Sequence, residues 1–448
     1  MKSLTNSKSV SKKLESPRVF FGWWILLAVG IISMMFSGFQ GYGFSALFIP
    51  IASELNFNRA IVSAAASIAR FEGGLLAPFT GWVTDRFGPK WVVISGIVLL
   101  GGGFLLMYYT HALWAFYVVW GGIVGTGFNI AYTIPMEKTI SNWFVRKRGL
   151  AQSIRSVSQG LGGVVVLPLV AWLIATQGWR MTCVIAGLII LVTGLPLAGF
   201  FIRQRRPEFY GLLPDGANDK ENTTHLSTIE KGVEYADRVQ ELEFSLKQSV
   251  RTPAFWILIT ASAVPWMVMP AMTIHAIPFL IDIGFDPIRA AAMLSLMTAV
   301  SIPARLLAGY LADRVAKNRM RFLIGGAYFL QALGFAAYLL LQTVPMIYVW
   351  FLVYGIGHGA GLALGAPVRA RYFGRKALGS ISGTLALVAM PAGIAAPIYL
   401  GWAYDTSGSY ITAFTVVAFL AAFAAVLISF ALPPKPPAGV GVVGEVLR

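Results

Sequence analysis

Arg305 stands deep inside an apolar run, in VSIPARLLAGYLADR. A charge that faces lipid at such a depth costs at least a few kcal/mol. Asp313, at the end of the run, is eight residues away. At ~1.5 Å per residue that places Arg305 about 12 Å inside the helix, too deep for easy snorkelling. A guanidinium there needs a counter-charge, and its planar fork suits a carboxylate gripped through two parallel hydrogen bonds. Other polar residues share the apolar runs. Asn129 and Tyr132 lie in GFNIAYTIP and His358 in GIGHGAG. His275 sits among Pro265, Pro270 and Pro278, and Gln40 and Tyr42 flank Gly41. These are candidates for lining one cavity, because interrupted spanning helices often carry the binding site. Gln40 and Tyr42 are two apart and point about 200° apart on a helix, so only one faces the cavity.

Glu72 is the best acid inside a span and therefore the leading proton-carrier candidate. Arg70 shares its helix, but residues two apart do not pair, and its role is left open. Arg155 lies about 10 Å into its own helix. Were it to face the same cavity as Arg305, a dicarboxylate would fit; paired to an acid or a carbonyl, it leaves a monocarboxylate. The glycines around His358 imitate a phosphate loop but have no strand before them, which marks them as helix-packing residues. No nucleophile–base or metal-ligand spacing appears, so no enzyme, metal or cofactor is expected. The single cysteine, Cys183, permits no disulfide within the chain.

The elements that must hold these residues are membrane helices. Of 448 residues 57% are hydrophobic and 12% charged, against about a quarter charged in a soluble domain. Apolar runs long enough to cross a bilayer fall at 20–50, 60–84, 91–110, 112–138, 149–175 and 181–202. They resume at 254–282, 288–312, 320–341, 345–370, 378–402 and 410–431. The fold class is all-α, with twelve transmembrane helices in two six-helix bundles. The predicted division is a tail 1–19, a bundle 20–202, a linker 203–250, a bundle 251–432 and a tail 433–448. The linker reads as a mobile polar loop with an amphipathic helix near 230–247; it also carries a glycosylation sequon at Asn222. The net charge of +16 resides in short loops on one side of the spans, which argues for membrane topology rather than nucleic acid. Both termini and the linker are therefore expected in the cytoplasm, with the chain in the inner (plasma) membrane.

The two halves repeat. At an offset of 228, Gly81 matches Gly309 and Asp85 matches Asp313; at 229, Asn129 matches His358. Gly81, Asp85, Arg86 and Gly88 belong to GWVTDRFGPK, echoed by Gly309, Asp313 and Arg314 in GYLADR. The glycine lets two helices approach, and the aspartate is placed to accept hydrogen bonds at a helix N-terminus or to pair with an arginine across the bundle interface. Either would gate the cavity. Arg305 matches Ala77, so a charge is present in one half only, as a functional addition would be.

GWVTDRFGPK resembles the loop motif of the major facilitator superfamily between helices 2 and 3. NWFVRKRGLAQSIRSVSQGLGG, RPEFYGLLPDG, YFGRKALGSISG, GWAYDTSGSY and the opening FGWW resemble its monocarboxylate transporter and oxalate–formate antiporter-like branch. The resemblance implies a secondary transporter working by alternating access, with the helix 8 arginine, here Arg305, binding the substrate carboxylate. It implies a small organic anion such as lactate, pyruvate or formate, possible proton coupling, and a functional monomer. Tyr42 stands where the branch usually carries a helix 1 lysine, and it is the cavity-facing choice over Gln40. Ser301 stands where an aspartate usually precedes the arginine, and Ala386–Tyr399 lacks the lysine of the oxalate exchangers. The rival expectations are a dicarboxylate/monocarboxylate exchanger, proton-coupled drug efflux, and a non-transporting sensor on the same scaffold.

Overall fold

The computed structural model describes residues 19–55, 59–217 and 243–435. Most of the expected linker helix at 230–247 and the Asn222 sequon lie outside the described residues. Only its end is seen, as one turn, Leu246–Ser249, capped by Ser245.

Ten apolar helical stretches are long enough to span a membrane among the described residues. One of them, Arg148–Phe201, is broken at Gly178, whose φ of 76° only glycine adopts without strain, so it is two helices. Arg59–Phe87 is an eleventh stretch, less apolar because it carries Arg70 and Glu72. The result is twelve helices: α1 Phe21–Glu54, α2 Arg59–Phe87, α3 Pro89–Tyr109, α4 Leu113–Trp143, α5 148–177 and α6 179–201. The second half adds α7 Pro253–Asp282, α8 Pro287–Arg314, α9 Met320–Leu341, α10 Val344–Phe373, α11 Leu378–Ser407 and α12 Ile411–Ser429. Each begins and ends within a few residues of an apolar run, as expected when hydropathy sets the span.

The buried apolar side chains form three clusters. One runs from Ile25 to Ile202; the others run from Phe244 to Ala431 and from Val268 to Val417. Among the described residues no cluster joins the two halves, so each half packs around its own core.

Helix 1 is interrupted where its glycines predicted, by a π-helical segment, Ser37–Tyr42. A second π segment, Gly162–Val166, lies in α5. Such wide turns concentrate at functional sites. The two segments meet: the Ser37 hydroxyl donates to the Gln159 carbonyl at 2.7 Å, and the Tyr42 ring lies against Gly163. Helix 7 runs unbroken through its three prolines instead. The glycines around His358 are packing residues, as read: Gly355, Gly357 and Gly359 lie against backbone of α8 and α9.

The linker departs from the expected mobile loop in its described part. Pro207–Tyr210 and Pro214–Gly216 form tight turns. Asp215 accepts hydrogen bonds from the backbone N–H groups of Val145, Arg146 and Lys147, at 3.1, 2.8 and 3.0 Å. Three converging amides make an anion nest, and a carboxylate supplied by the linker fills it.

Candidate functional site

The two halves meet at the face that carries the basic loops. Asp85, at the end of α2, accepts from the N–H groups of Gly379 and Ser380 at 3.0 and 2.7 Å, and from the Ser380 hydroxyl at 2.7 Å. Those amides open α11, so Asp85 caps a helix of the other half. Lys138 adds an ion pair at 2.6 Å. Asp313, at the end of α8, does the same for α5: Gly149 and Leu150 donate to it at 2.6 and 2.9 Å. The partners are helix N-termini and a lysine, not the arginine that was the other expectation. Gly81 lies on the Gly379 carbonyl and Gly309 on the Gly149 carbonyl, so a methyl at either place would collide with backbone. Gly88, with φ 83°, turns the chain from α2 into α3. Arg86 and Arg314 do not join these caps; they are exposed and lie over aromatic rings, Arg314 over Tyr310 at 3.8 Å.

Above this closed face stands Arg305, buried on the side of α8 that meets α5. Its Nη1 donates to the Ser156 carbonyl at 2.6 Å, and its Nε has no hydrogen-bond partner. No carboxylate pairs with it among the described residues. Tyr42 and Tyr132 are the ionisable side chains within its electrostatic reach, and its own charge acts on His358. Tyr132 is stacked on Phe128 and Phe36, which orients it. Tyr42 is 37% exposed. His358 is buried, stacked on Tyr354, and its Nδ1 has no partner. The structure thus gathers Arg305, Tyr42, Tyr132 and His358 from α8, α1, α4 and α10. Ser301 only bonds back to the Thr298 carbonyl.

The other candidates are elsewhere. Asn129 fills the notch left by Gly73 and donates to the Ala69 carbonyl at 2.8 Å, tying α4 to α2. His275 bonds the Tyr410 hydroxyl and the Pro397 carbonyl, at 3.1 and 2.9 Å, so both ring nitrogens are engaged in packing α7 against α11. Gln40 is half-buried with no hydrogen bond assigned to it among the described residues. Glu72 turns toward α4, where Thr126 donates to one oxygen and the other is buried without a partner. Arg70 shows no ion pair among the described residues and is exposed.

Arg155 has an acid. Glu137 of α4 lies 3.6 Å from Arg155 and 2.7 Å from Arg369 of the other half. Ser382 also donates to Glu137, and Arg155 Nη1 donates to the Tyr132 carbonyl at 3.4 Å. Nearby, Glu208 of the linker pairs with Arg375 at 3.1 Å. Glu137, Lys138, Arg369 and Glu208 were missed from sequence. The repeat held a signal for three of them: at the 229 offset Glu137 matches Ala366, Lys138 matches Pro367 and Arg369 matches Ile140. Charges confined to one half mark places where that half does something the other does not.

The family model of the Major Facilitator Superfamily matches residues 30–343. Monocarboxylate transporter 12 of Mus musculus is 25% identical over 367 residues, covering 80% of this chain and 74% of that one. The oxalate:formate antiporter of Oxalobacter formigenes is 24% identical over 424 residues, covering 92% and 91%. Among solved structures, the proton:xylose symporter XylE superposes with a TM-score of 0.68 at 13% identity, over 95% of this chain and 99% of that one. The chain therefore belongs to the major facilitator superfamily, in the branch of the monocarboxylate transporters and the oxalate:formate antiporter, and is a membrane transporter rather than an enzyme.

Proposed function

We propose that this transporter carries a small organic anion, a monocarboxylate such as lactate, pyruvate or formate, by alternating access around Arg305. The observation that carries the reading is a buried guanidinium with one carbonyl contact, an unsatisfied Nε and no acid beside it among the described residues. A buried cation without a counter-charge is costly, and a carboxylate ligand removes that cost through a charge-assisted pair. Tyr42 and Tyr132 are the hydroxyls placed to share the carboxylate. Arg155 is held by Glu137 and by the Tyr132 carbonyl, so it is not free to serve a second carboxylate. That favours a monocarboxylate over the dicarboxylate exchanger. With the basic loops in the cytoplasm, the side that the charge asymmetry favours, the caps at Asp85 and Asp313 would close the cytoplasmic side in this state. The names of the relatives support an anion as cargo.

The test is calorimetric titration of lactate, pyruvate, formate and oxalate into the purified protein and its variants. A charge-assisted bidentate pair is worth roughly 2–4 kcal/mol after desolvation, or about 30- to 1000-fold in affinity. Arg305→Lys keeps the charge without the planar fork and should bind weakly. Arg305→Ala should not bind, yet should fold, because Ala77 occupies the equivalent place in the first half. A monodisperse Arg305→Ala protein that binds the parent's anion within a few-fold of the parent would make the arginine structural and remove the anion reading.

A further inference from the structure

Arg70 lies on a continuous face of α2. Residues 70, 74, 77 and 81 follow one another at helical spacing and so share a side. The lower three members show what that side meets. Gly81 rests on Gly379, Ala77 on Gly383, and Gly74 on the Met390 side chain, all of α11. Gly393 of α11 faces the Trp266 carbonyl and Gly401 faces His275, both on α7, while Ile394 is exposed. Arg70, one turn beyond Gly74 on that stripe, follows the last of these contacts with α11 and is exposed, which fits a place on the wall between the halves.

Among the described residues nothing answers its charge. No ion pair or hydrogen bond to Arg70 is found among the described residues. Glu72 is about 200° around the helix, turned to Thr126 of α4. On α11, the facing helix, the nearest acid in sequence is Asp405, fifteen residues beyond Met390. Arg305 occupies the corresponding stripe of α8, where Gly309 meets Gly149 and Gly160 approaches the guanidinium. Its repeat partner is Ala77, so Arg70 is seven residues, about 10 Å, nearer the open side. The cleft thus holds two uncompensated guanidinium groups, on opposite walls and at two depths.

We propose that Arg70 is a second carboxylate-binding residue, at the open mouth of the cleft, which receives the anion before Arg305 does. This rests on the reading of Arg305 as the anchor. A cation on the wall of a low-dielectric cleft concentrates anions there and speeds their capture. The offset in depth makes the two sites successive for a short carboxylate. It is also wide enough that a two-carbon dianion does not bridge them.

The experiment uses the full chain in detergent, with trifluoroacetate as a minimal monocarboxylate probe and trifluoroethanol as its uncharged control. Fluorine-19 line broadening is titrated at low and high salt. The parent should show a tighter and a weaker component, with the weaker one the more salt-sensitive. Arg70→Gln should lose the weaker component, its affinity falling about threefold or more, while the tighter one is kept; Arg70→Lys should retain part of it. Arg305→Ala should lose the tighter component and keep the weaker. An unchanged titration in Arg70→Gln, with unaltered melting temperature and elution profile, overturns the Arg70 site and leaves Arg305 standing. An unchanged titration in Arg305→Ala with loss in Arg70→Gln overturns the anchor instead. No broadening in the parent overturns both.

Discussion

Replacing both Asp85 and Asp313 by asparagine should open the face that the two caps hold shut. Each carboxylate accepts two backbone N–H bonds from a helix of the opposite half, at 2.6 to 3.0 Å. Asparagine keeps one acceptor oxygen and no charge. The loss at each site is then one amide bond plus the favourable field at the helix N-terminus, about 1–2 kcal/mol. At Asp85 the ion pair with Lys138 also goes, although Lys138 keeps the carbonyls of Arg375 and Lys376 at 2.6 and 2.9 Å. The two caps join different helix pairs, so their effects should add, to about 2–4 kcal/mol, or roughly 30- to 1000-fold in the open–closed ratio. A parent closed at this face about 99% of the time would become open between about a quarter and nine-tenths of the time. The assay is the distance between spin labels at Trp91 and Phe322, exposed residues near the starts of α3 and α9. The one native cysteine, Cys183, is buried and can be replaced by alanine beforehand. Each single variant should shift the distribution part-way, and equilibrium carboxylate affinity should change little. An unchanged distribution in the double variant would refute capping as the latch. Loss of carboxylate binding with open–close exchange preserved would move the aspartates into the substrate site.

Two further outcomes are expected. Glu137→Gln leaves Arg155 and Arg369 without their shared acid in a buried place, which should destabilise the closed face by about 3–5 kcal/mol; the same label pair should report it, and adding Arg369→Gln should restore part of the closed population. Glu72→Gln should abolish pH-driven accumulation in proteoliposomes while leaving counterflow exchange, if Glu72 carries the proton, whereas full accumulation by that variant would exclude it.

What was legible in the sequence was whatever a single helix or the repeat encodes. Hydropathy located the twelve helices because the bilayer demands a fixed apolar length from each. The depth of Arg305 and its alanine counterpart singled it out before any neighbour was known. The aspartates at 85 and 313 were legible for the same reason, since the repeat presents each at a helix end. Which way a polar residue turns was not legible, because that depends on a helix distant in sequence. Asn129 and His275 sit among candidate cavity residues in the chain, yet one braces α4 on α2 and the other braces α7 on α11. Glu137 and Arg369 are separated by 232 residues, so their pair is visible only when the halves close.

The charges sort by what each has for a partner, and that sorting carries the functional argument. At the closed face the buried carboxylates are matched: Asp85 with the start of α11 and with Lys138 of its own half, Glu137 with Arg369 across the halves and with Arg155 of its own half, Glu208 of the linker with Arg375. Those that cross between the halves, from Asp85 to α11 and from Glu137 to Arg369, must break each time that face opens. Farther from that face the pattern reverses. Arg305 and Arg70 have no acid from the protein among the described residues. Under the proposed function, an anion bound between the halves would supply the counter-charge that Arg305 lacks. Loss of anion affinity in Arg305→Ala and loss of closure in the aspartate double variant are therefore separable measurements of the two halves of one cycle.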